Sequence, residues 1–353
     1  MQMNKKIGIA VVVIIVIAAA AGYVLTSDGG QGGDQEKVGL ILATGGLGDK
    51  SFNDLAYWGA QDAEEDYDLK LDYVEPREVS EYEGYQRDFA RTGEYEIIVC
   101  VGFDQASALE NVASDYPEQN FAIVDSVAEG SNNVASLVFN DWEQAFLCGV
   151  VAGKMTEANK VGIEGGMDIP LINNFVKGYR QGAMWANDEI ENEDVLVRYV
   201  GAWNDITTGK SLAEQMYNEG ADIIYGAAGK SHLGVFRAAE EHDDLQAIGE
   251  DVDQTWSAPE HADQILASGL KRVDLAVYDQ IEKAIQDNFE PGVISYGMGE
   301  GAVGFGTGIA VGDENISQYI RASHSEIDIP DSVMQAVQDA VEGIRDGSIQ
   351  IKH

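Results

Sequence analysis

The stretch VGLILATGGLGDKSFND, residues 38–54, decides the fold. Residues 38–43 are apolar and predict a buried strand, and the residues after the glycines begin a helical pattern. A strand, a turn and a helix in this order bring backbone N–H groups and polar side chains to the carboxyl end of a sheet, where open α/β sheets bind small molecules. Ser51 and Asp54 have capping-box spacing, so we expect the helix to begin at Ser51.

Strand and helix patterns alternate along the rest of the chain. The first series has predicted strands at 38–43, 70–74, 96–101, 120–125 and 134–139, with helices at 51–65, 82–92, 104–116 and 141–156. The second has strands near 159–164, 195–201, 222–226 and 245–249, helices near 171–188, 208–219, 231–241 and 263–287, and a tail with a strand near 309–311 and a helix near 331–346. The alternation predicts an α/β fold of two doubly wound, Rossmann-like lobes with mainly parallel sheets.

The two lobes are expected to be discontinuous in sequence. We predict that lobe 1 comprises residues 37–140 with 255–288, and that lobe 2 comprises residues 141–254 with 289–353. Crossover segments near 140–142, 251–256 and 288–292 would then form a hinge, and closure about it would capture a ligand.

The amino-terminal segment has the pattern of a membrane anchor. Residues 7–25 carry no charge, and this segment is long enough to span a bilayer. Lys5 and Lys6 precede it and favour a cytoplasmic amino end. We predict that residues 1–26 form an uncleaved transmembrane helix that holds the rest of the chain outside the cell. A cleaved secretory signal, which would release a secreted protein, is the alternative. Residues 27–36 are polar and glycine-rich and predict a flexible linker.

The composition is strongly acidic throughout. The chain has 353 residues with 61 acidic and 22 basic side chains, a formal net charge of -39. Nucleic acid is disfavoured as a partner because phosphate binding needs clustered lysine and arginine. The charge is typical of a halophilic protein, and an ordinary acidic extracytoplasmic protein is the alternative. Cys100 and Cys148 lie in apolar runs and are predicted to be buried free thiols.

Several enzyme signatures occur only in part. GEGAVG at residues 299–304 matches the dinucleotide fingerprint by letter, but no helix pattern follows it, so a turn-rich hairpin is favoured. Two Gly-Lys-Ser triplets, at 209–211 and 229–231, lack the upstream glycine of a phosphate-binding loop. The five histidines show no metal-ligand spacing. We therefore predict no catalytic residue, no cofactor and no metal site.

Polar and aromatic residues instead follow the strands of both lobes, where a crevice is expected. Seven such candidates are Asp49, Asn53, Asp125, Trp203, Asp251, Asp253 and Lys271. Each aspartate alone is typical of a helix cap, but together the seven indicate a ligand site. Trp58 lies about 120° from the apolar stripe of the first helix. Alone, Trp58 and Trp203 suggest packing between lobes, and together they suggest a flat ring clamped between two indoles.

Six motifs between about residues 37 and 308 share one resemblance. They are GDKSFND at 48–54, AFLCGVVAG at 145–153, GYRQGA at 178–183, GAWND at 201–205, GADII at 220–224 and GEDVDQ at 249–254. These motifs resemble the basic membrane protein group of ABC-transporter substrate-binding proteins, which includes purine nucleoside receptors. Members of that group are usually lipoproteins, whereas no cysteine lies just after the apolar run of this chain.

The resemblance implies a type I periplasmic-binding-protein fold whose lobes close around a nucleoside, with permease and ATPase subunits as partners. The implied ligand-binding residues are Asp49, Phe52, Asn53, Trp58, Asp125, Trp203, Gly229, Asp251, Asp253 and Lys271. Within this set the two tryptophans would stack on the base, in positions where the family often has phenylalanine. The polar residues from 49 to 125 would address the base, and those from 251 to 271 would hold the ribose hydroxyls.

Two other classes of function are weighed against a nucleoside receptor. A sugar or autoinducer receptor would share the two-lobed architecture. A nucleoside-processing enzyme would need a calcium-binding aspartate cluster near the first strand, where only Asp49 and Asp54 occur. We expect a non-enzymatic receptor that delivers a nucleoside, with purine as the favoured base.

Overall fold

The computed structural model describes residues 35–306 except residue 243, residues 310–311 and residues 327–353. The predicted anchor at 1–26 and most of the linker at 27–36 lie outside these residues. Gln35, near the end of the linker, donates from its side-chain amide to the carbonyl of Asp68 at 2.8 Å. In the described part of the chain, no helix combines the length and apolarity needed to cross a membrane.

The secondary structure follows the predicted alternation closely up to residue 249, whereas residues 265–271, inside a predicted helix, form a strand. The strands are β1 Lys37–Ile41, β2 Lys70–Val74, β3 Tyr95–Val101, β4 Phe121–Val124, β5 Val134–Phe139, β6 Val161–Gly165, β7 Val195–Tyr199, β8 Ile223–Ala227, β9 Gln246–Gly249, β10 Ile265–Lys271, β11 Gly292–Tyr296, β12 Val303–Gly306 and β13 Ala310–Val311. The helices are α1 Phe52–Tyr67, α2 Tyr82–Ala90, α3 Ala106–Asp115, α4 Asp141–Met155, α5 Pro170–Ala186, α6 Ile206–Asn218, α7 Leu233–Ala239, α8 Gln254–Ser257, α9 Val273–Ile285 and α10 Asp331–Arg345.

The strands form two sheets, one in each lobe. Lobe 1 contains a sheet of order β11-β5-β4-β3-β1-β2, in which every pair is parallel. Lobe 2 contains a sheet of order β13-β12-β10-β9-β8-β6-β7, which is parallel except for the β10–β12 and β12–β13 pairs. The central strands are buried on both faces, as parallel sheets covered by helices require. The two-lobed α/β architecture predicted from the sequence is confirmed.

The chain passes between the lobes at three places, after β5, after β10 and after β11. Backbone hydrogen bonds tie these segments together, from Asn140 N to Tyr296 O and from Arg272 N to Ala302 O, each at 2.8 Å. The predicted crossover near 140–142 coincides with the first passage. The predicted crossovers near 251–256 and 288–292 lie ahead of the second and third passages, respectively.

The sheet membership of two strands differs from the predicted division of the chain. Strand β10, within the 255–288 segment expected in lobe 1, belongs to the sheet of lobe 2, whereas β11, in the 289–353 segment expected in lobe 2, belongs to the sheet of lobe 1. The incorrect prediction of one helix over 263–287 explains why β10 was assigned to lobe 1. It merged β10 with α9, because the apolar residues of both elements run together without a proline between them.

Helices α4 and α5 of lobe 2 lie unusually close together. A Cβ atom added at Gly149 would lie 2.1 Å from the carbonyl oxygen of Tyr179, and one added at Gly182 would lie 2.0 Å from that of Phe146. Only glycine leaves room for such an approach of two backbones. Both cysteines are buried and free, as predicted, and Cys148 lies on α4.

Candidate functional site

A cleft between the lobes opens at the carboxyl ends of both sheets. Its volume is about 680 Å³, including the solvent at its mouth. The residues that line it are Ala43, Gly45, Asp49, Phe52, Asn53, Gly102, Phe103, Asp104, Asp125, Leu171, Ile172, Phe175, Trp203, Ala227, Gly229, Lys230, Glu250, Asp251 and Lys271. The mixture of apolar walls with a few polar groups is typical of a small-molecule site.

The lining contains eight of the ten predicted site residues and excludes Trp58 and Asp253. The Trp58 ring packs edge-on against Trp256 of α8, with centroids 5.3 Å apart. The predicted clamp between Trp58 and Trp203 is therefore corrected, because Trp58 serves the alternative role of packing between lobes. Asp253 caps α8, where its carboxylate accepts from the backbone N–H of Thr255 at 3.0 Å.

Aromatic rings from both lobes form the walls of the cleft. Phe52 and Phe103 come from lobe 1, and Phe175 and Trp203 come from lobe 2. The Phe103 and Trp203 rings meet edge to face with centroids 6.2 Å apart. Sequence reasoning missed Phe103, although it follows β3 as Trp203 follows β7. Phe175 lies inside α5 and gave no comparable signal.

Two glycines, Gly166 and Gly229, leave room for Trp203. A Cβ atom at Gly166 would lie 2.2 Å from Cζ3 of the indole, so any side chain there would displace the ring. Gly229, on the other side, has a φ of +54° and would bring a Cβ to 3.3 Å from the carbonyl oxygen of Trp203. Gly229, a predicted site residue, therefore contributes to the site by leaving room for Trp203.

A buried lysine stands at the polar end of the cleft. The Lys271 ammonium lies 2.7 Å from Asp125 Oδ2 and 3.0 Å from Asp141 Oδ1. Asp125 follows β4 of lobe 1, whereas Asp141 begins α4 of lobe 2, so this ion pair network joins the lobes. Asp125 Oδ1 and Asp141 Oδ2 are buried and accept no hydrogen bond from the described residues. Asp125 lines the cleft, so its free oxygen is suited to accept from a hydroxyl-bearing ligand, whereas Asp141 is not among the lining residues.

Burial and mutual repulsion set the charges of this cluster. Burial raises the pKa of Asp141 to about 7, although the Lys271 ammonium opposes the change. Burial likewise raises the pKa of Asp251 to about 6. Burial alone would lower the pKa of Lys271, but the surrounding carboxylates Asp125, Asp141 and Asp251 raise it above its usual range. The cluster keeps its cation and has carboxyl groups that exchange protons near neutral pH.

We predict that Asp141→Asn flattens the pH dependence of stability. The aspartate pKa of 3.8 rises to about 7 on folding, so the folded state holds the proton more tightly. Stability from this group is present at acid pH and is lost as pH rises towards 7. Urea unfolding from about pH 4 to about pH 8 should show the wild-type protein losing stability relative to the variant. Asp88→Asn, at an exposed helix position, is the control. Parallel curves for wild type and Asp141→Asn would contradict the prediction.

The loop between β1 and α1 is held from within by Asp49. Its carboxylate accepts from the backbone N–H groups of Ser51, Asn53 and Asp54 at 3.0, 2.8 and 3.2 Å. The Asn53 amide oxygen accepts from Ala43 N at 2.8 Å. Asp49 and Asn53 thus line the cleft while most of their polar atoms bond inside the loop. Burial raises the pKa of Asp49 to about 7.

The predicted capping box is wrong. Ser51 makes no side-chain bond to its own helix, because its hydroxyl donates across the cleft to the carboxylate of Asp251 in lobe 2. The same loop receives three further hydrogen bonds from lobe 2. The donors are Lys230 Nζ to Leu47 O at 3.2 Å, Gln254 Nε2 to Lys50 O at 3.1 Å and Ser257 Oγ to Lys50 O at 2.7 Å. These contacts connect the lobes along one side of the cleft.

Glu250 is a buried carboxyl in the wall that sequence reasoning left out of the site. Its side chain accepts from the Tyr225 hydroxyl and from the Gln144 amide, the latter at 2.8 Å. Burial raises the pKa of Glu250 well above its usual range. The raised pKa favours the protonated form of Glu250 beside Asp251.

The fold and the cleft together define a two-lobed binding protein. The chain belongs to the basic membrane protein (Bmp) family, described as PnrA-like ABC transporter substrate-binding proteins, whose family model matches residues 36–333. The protein is therefore a substrate-binding component of an ABC transporter and not an enzyme, as the sequence motifs indicated.

Relatives agree with this assignment. An uncharacterised lipoprotein of Pyrococcus abyssi is 33% identical over 87% of this chain and 77% of its own length. The ABC transporter nucleoside-binding protein BmpA of Lactococcus lactis is 31% identical over 87% of both chains. The crystal structure of an ABC transporter solute-binding protein from Aeropyrum pernix superimposes with a TM-score of 0.78 at 32% identity, covering 89% of this chain and 92% of the other.

Proposed function

We propose that this protein captures a nucleoside, with a purine as its base, and presents it to an ABC permease. The observation that carries the proposal is the pairing of aromatic walls with a buried lysine and carboxylate cluster in one cleft. A nucleoside has the complementary parts, because its base is a flat aromatic ring and its ribose carries vicinal hydroxyls. The named specificity of the Lactococcus lactis relative for nucleosides supports the same ligand class.

The aromatic walls would hold the base. Phe52 and Phe103 on one side and Trp203 on the other offer π-faces, and stacking on such rings is worth about 1–3 kcal/mol per base in nucleic-acid complexes. The ribose would lie at Lys271, where the unpaired Oδ1 atom of Asp125, which lines the cleft, can accept from its hydroxyls. A hydrogen bond to a charged group contributes about 1.5–3 kcal/mol.

Calorimetric titration of the full chain tests the proposal. Purine nucleosides should bind, whereas ribose and glucose alone should bind weakly or not at all because they lack a ring to stack. Tight binding of a free sugar without nucleoside binding would support the alternative receptor class and overturn the proposal.

Trp203→Ala should weaken nucleoside binding by about 1–3 kcal/mol, since it removes one stacking face. Trp58→Ala is the matched control, because Trp58 packs against Trp256 and does not line the cleft. Titrations of both variants should show reduced affinity only for Trp203→Ala. An equal loss in both variants would mean that the effect comes from lobe packing rather than from stacking.

We further propose that residues 1–26 tether the protein to the outer face of the cell membrane and that residues 27–36 act as its spacer. The lipoprotein name of the Pyrococcus abyssi relative supports attachment at the cell surface. A transmembrane helix would serve the same purpose here, since it too keeps the binding lobes near the permease. Cell fractionation would test this anchoring. A retained anchor places the full-length chain in the membrane fraction, whereas a cleaved signal releases a shorter chain.

A further inference from the structure

A second carboxylate lies at the aromatic end of the cleft, away from Lys271. Asp104 follows β3 and is half-buried beside Phe103 in the cleft wall. Its Oδ2 atom is 3.4 Å from the hydroxyl of Tyr82, which is a long hydrogen bond. The backbone N–H of Thr44 donates to the same hydroxyl at 3.0 Å. The Tyr82 hydroxyl therefore directs its proton towards Asp104 and helps to fix the carboxylate in place.

Gly102 lies near both Asp104 and Phe52 in the cleft wall. A Cβ atom at Gly102 would lie 3.3 Å from Asp104 Oδ1 and 4.0 Å from Cε1 of the Phe52 ring. The Lys271 ammonium lies 5.4 Å from the centroid of the same ring. Phe52 and Asp104 both line the cleft, and the Lys271 ammonium lies over the face of the Phe52 ring. A nucleoside with ribose at Lys271 and base on Phe52 would present the outer edge of the base to Asp104.

Other side chains at this end offer little polar competition. Ala43, Gly45 and Gly102 have no polar side-chain atoms, and the Asn53 amide bonds to Ala43 N and to Asp49. Lys230 also lines the cleft, and its ammonium donates to Leu47 O at 3.2 Å. Asp104, by contrast, can only accept hydrogen bonds when ionised. Such a group favours a base with N–H donors on its outer edge.

Resting on the proposed function, we propose that Asp104 is a specificity-determining residue that selects bases with two adjacent N–H donors. Guanine presents N1–H and the N2 amino group side by side, which match the two oxygens of a carboxylate in charge-assisted hydrogen bonds. Hypoxanthine offers one of these donors. Adenine instead presents the N1 lone pair, which a carboxylate repels. The expected order of affinity is guanosine, then inosine, then adenosine.

Calorimetric titration of the full chain with these three nucleosides tests the order and its cause. Wild type should bind guanosine at least about tenfold more tightly than adenosine. Asp104→Asn should lose about 10-fold to 100-fold in guanosine affinity. Its adenosine affinity should hold or rise, because an asparagine amide matches the adenine edge as a donor and acceptor pair. Glu118→Gln makes the same chemical change at an exposed position away from the cleft and should leave all three affinities unchanged.

The possible results distinguish a failure of the proposed base selectivity from a failure of the proposed nucleoside binding. Equal affinities of wild type for guanosine and adenosine, or an equal loss of both in Asp104→Asn, would overturn the selectivity while nucleoside binding stands. The absence of binding to any of the three nucleosides would overturn the proposed function itself. Matching circular dichroism spectra and melting temperatures of the two variants would show that their folds are intact, so that a change in affinity reports on the base subsite.

Discussion

Lys271→Met should abolish ligand binding and reduce the free energy of unfolding by about 3–5 kcal/mol at neutral pH. The side chain of Lys271 is 3% exposed and lies against Asp125 and Asp141, which are 6% and 1% exposed. Methionine keeps the length of the side chain but removes the charge, so buried carboxylates remain without a cation. Removing one partner of a buried ion pair is costly because the other charge stays desolvated.

Urea unfolding and calorimetry of the same samples measure both effects of Lys271→Met. The control is Lys283→Met, since Lys283 pairs with Asp279 at 2.7 Å on the surface with side chains 38% and 33% exposed. Exposed pairs contribute about 0–1 kcal/mol, so the control should be nearly as stable as wild type. The defect should shrink at acid pH, because Asp141 and Asp251, with pKa values raised to about 7 and about 6, take up protons there. Full stability of Lys271→Met at neutral pH would contradict this account.

Gly182→Ala should destabilise lobe 2 by about 3 kcal/mol, at the upper end of the usual cost of overpacking. The added Cβ would lie 2.0 Å from the carbonyl oxygen of Phe146, and that atom belongs to the backbone of α4 rather than to a flexible side chain. The two helices must move apart to accommodate it. This would disturb Asp141, which begins α4 in the ion pair network.

Gly84→Ala is the matched comparison for Gly182→Ala. Gly84 also lies inside a helix, α2, but a Cβ there would meet no atom within 4 Å. Alanine is favoured over glycine in helices by about 0.5–1 kcal/mol, so this variant should be more stable than wild type. Chemical denaturation should therefore give opposite signs for the same substitution at the two sites. A neutral result at Gly182 would mean that α4 and α5 separate at little cost.

The fold was largely predictable because its elements are local patterns. The alternation of strands and helices gave the two lobes, and strands such as Lys70–Val74 and Val134–Phe139 match their predicted bounds. The rule that ligands lie at the carboxyl ends of parallel strands placed Asp125, Trp203 and Lys271 at the cleft. Asp125 and Trp203 follow predicted strands, whereas Lys271 ends β10, which lies inside a predicted helix.

The features that could not be predicted depend on contacts between segments that are distant in sequence. Periodicity showed that Trp58 lies off the core stripe of α1, but not that Trp256 covers it from the other lobe. The capping-box spacing of Ser51 was real, yet the Asp251 carboxylate, remote in sequence, takes its hydroxyl. Asp141 begins a helix, and its neighbours in sequence do not indicate that it contacts Lys271. Such partners follow from the arrangement of the lobes rather than from neighbouring residues.

The interleaved order of the strands has a consequence for the synthesis of the protein. Strand β11 completes the sheet of lobe 1 only after most of lobe 2 has been translated, and β12 joins the sheet of lobe 2 afterwards. A ribosome-bound chain ending before residue 292 lacks the final strands of both sheets. Both sheets are therefore completed only late in elongation, and a truncation in this region would remove strands from both lobes at once.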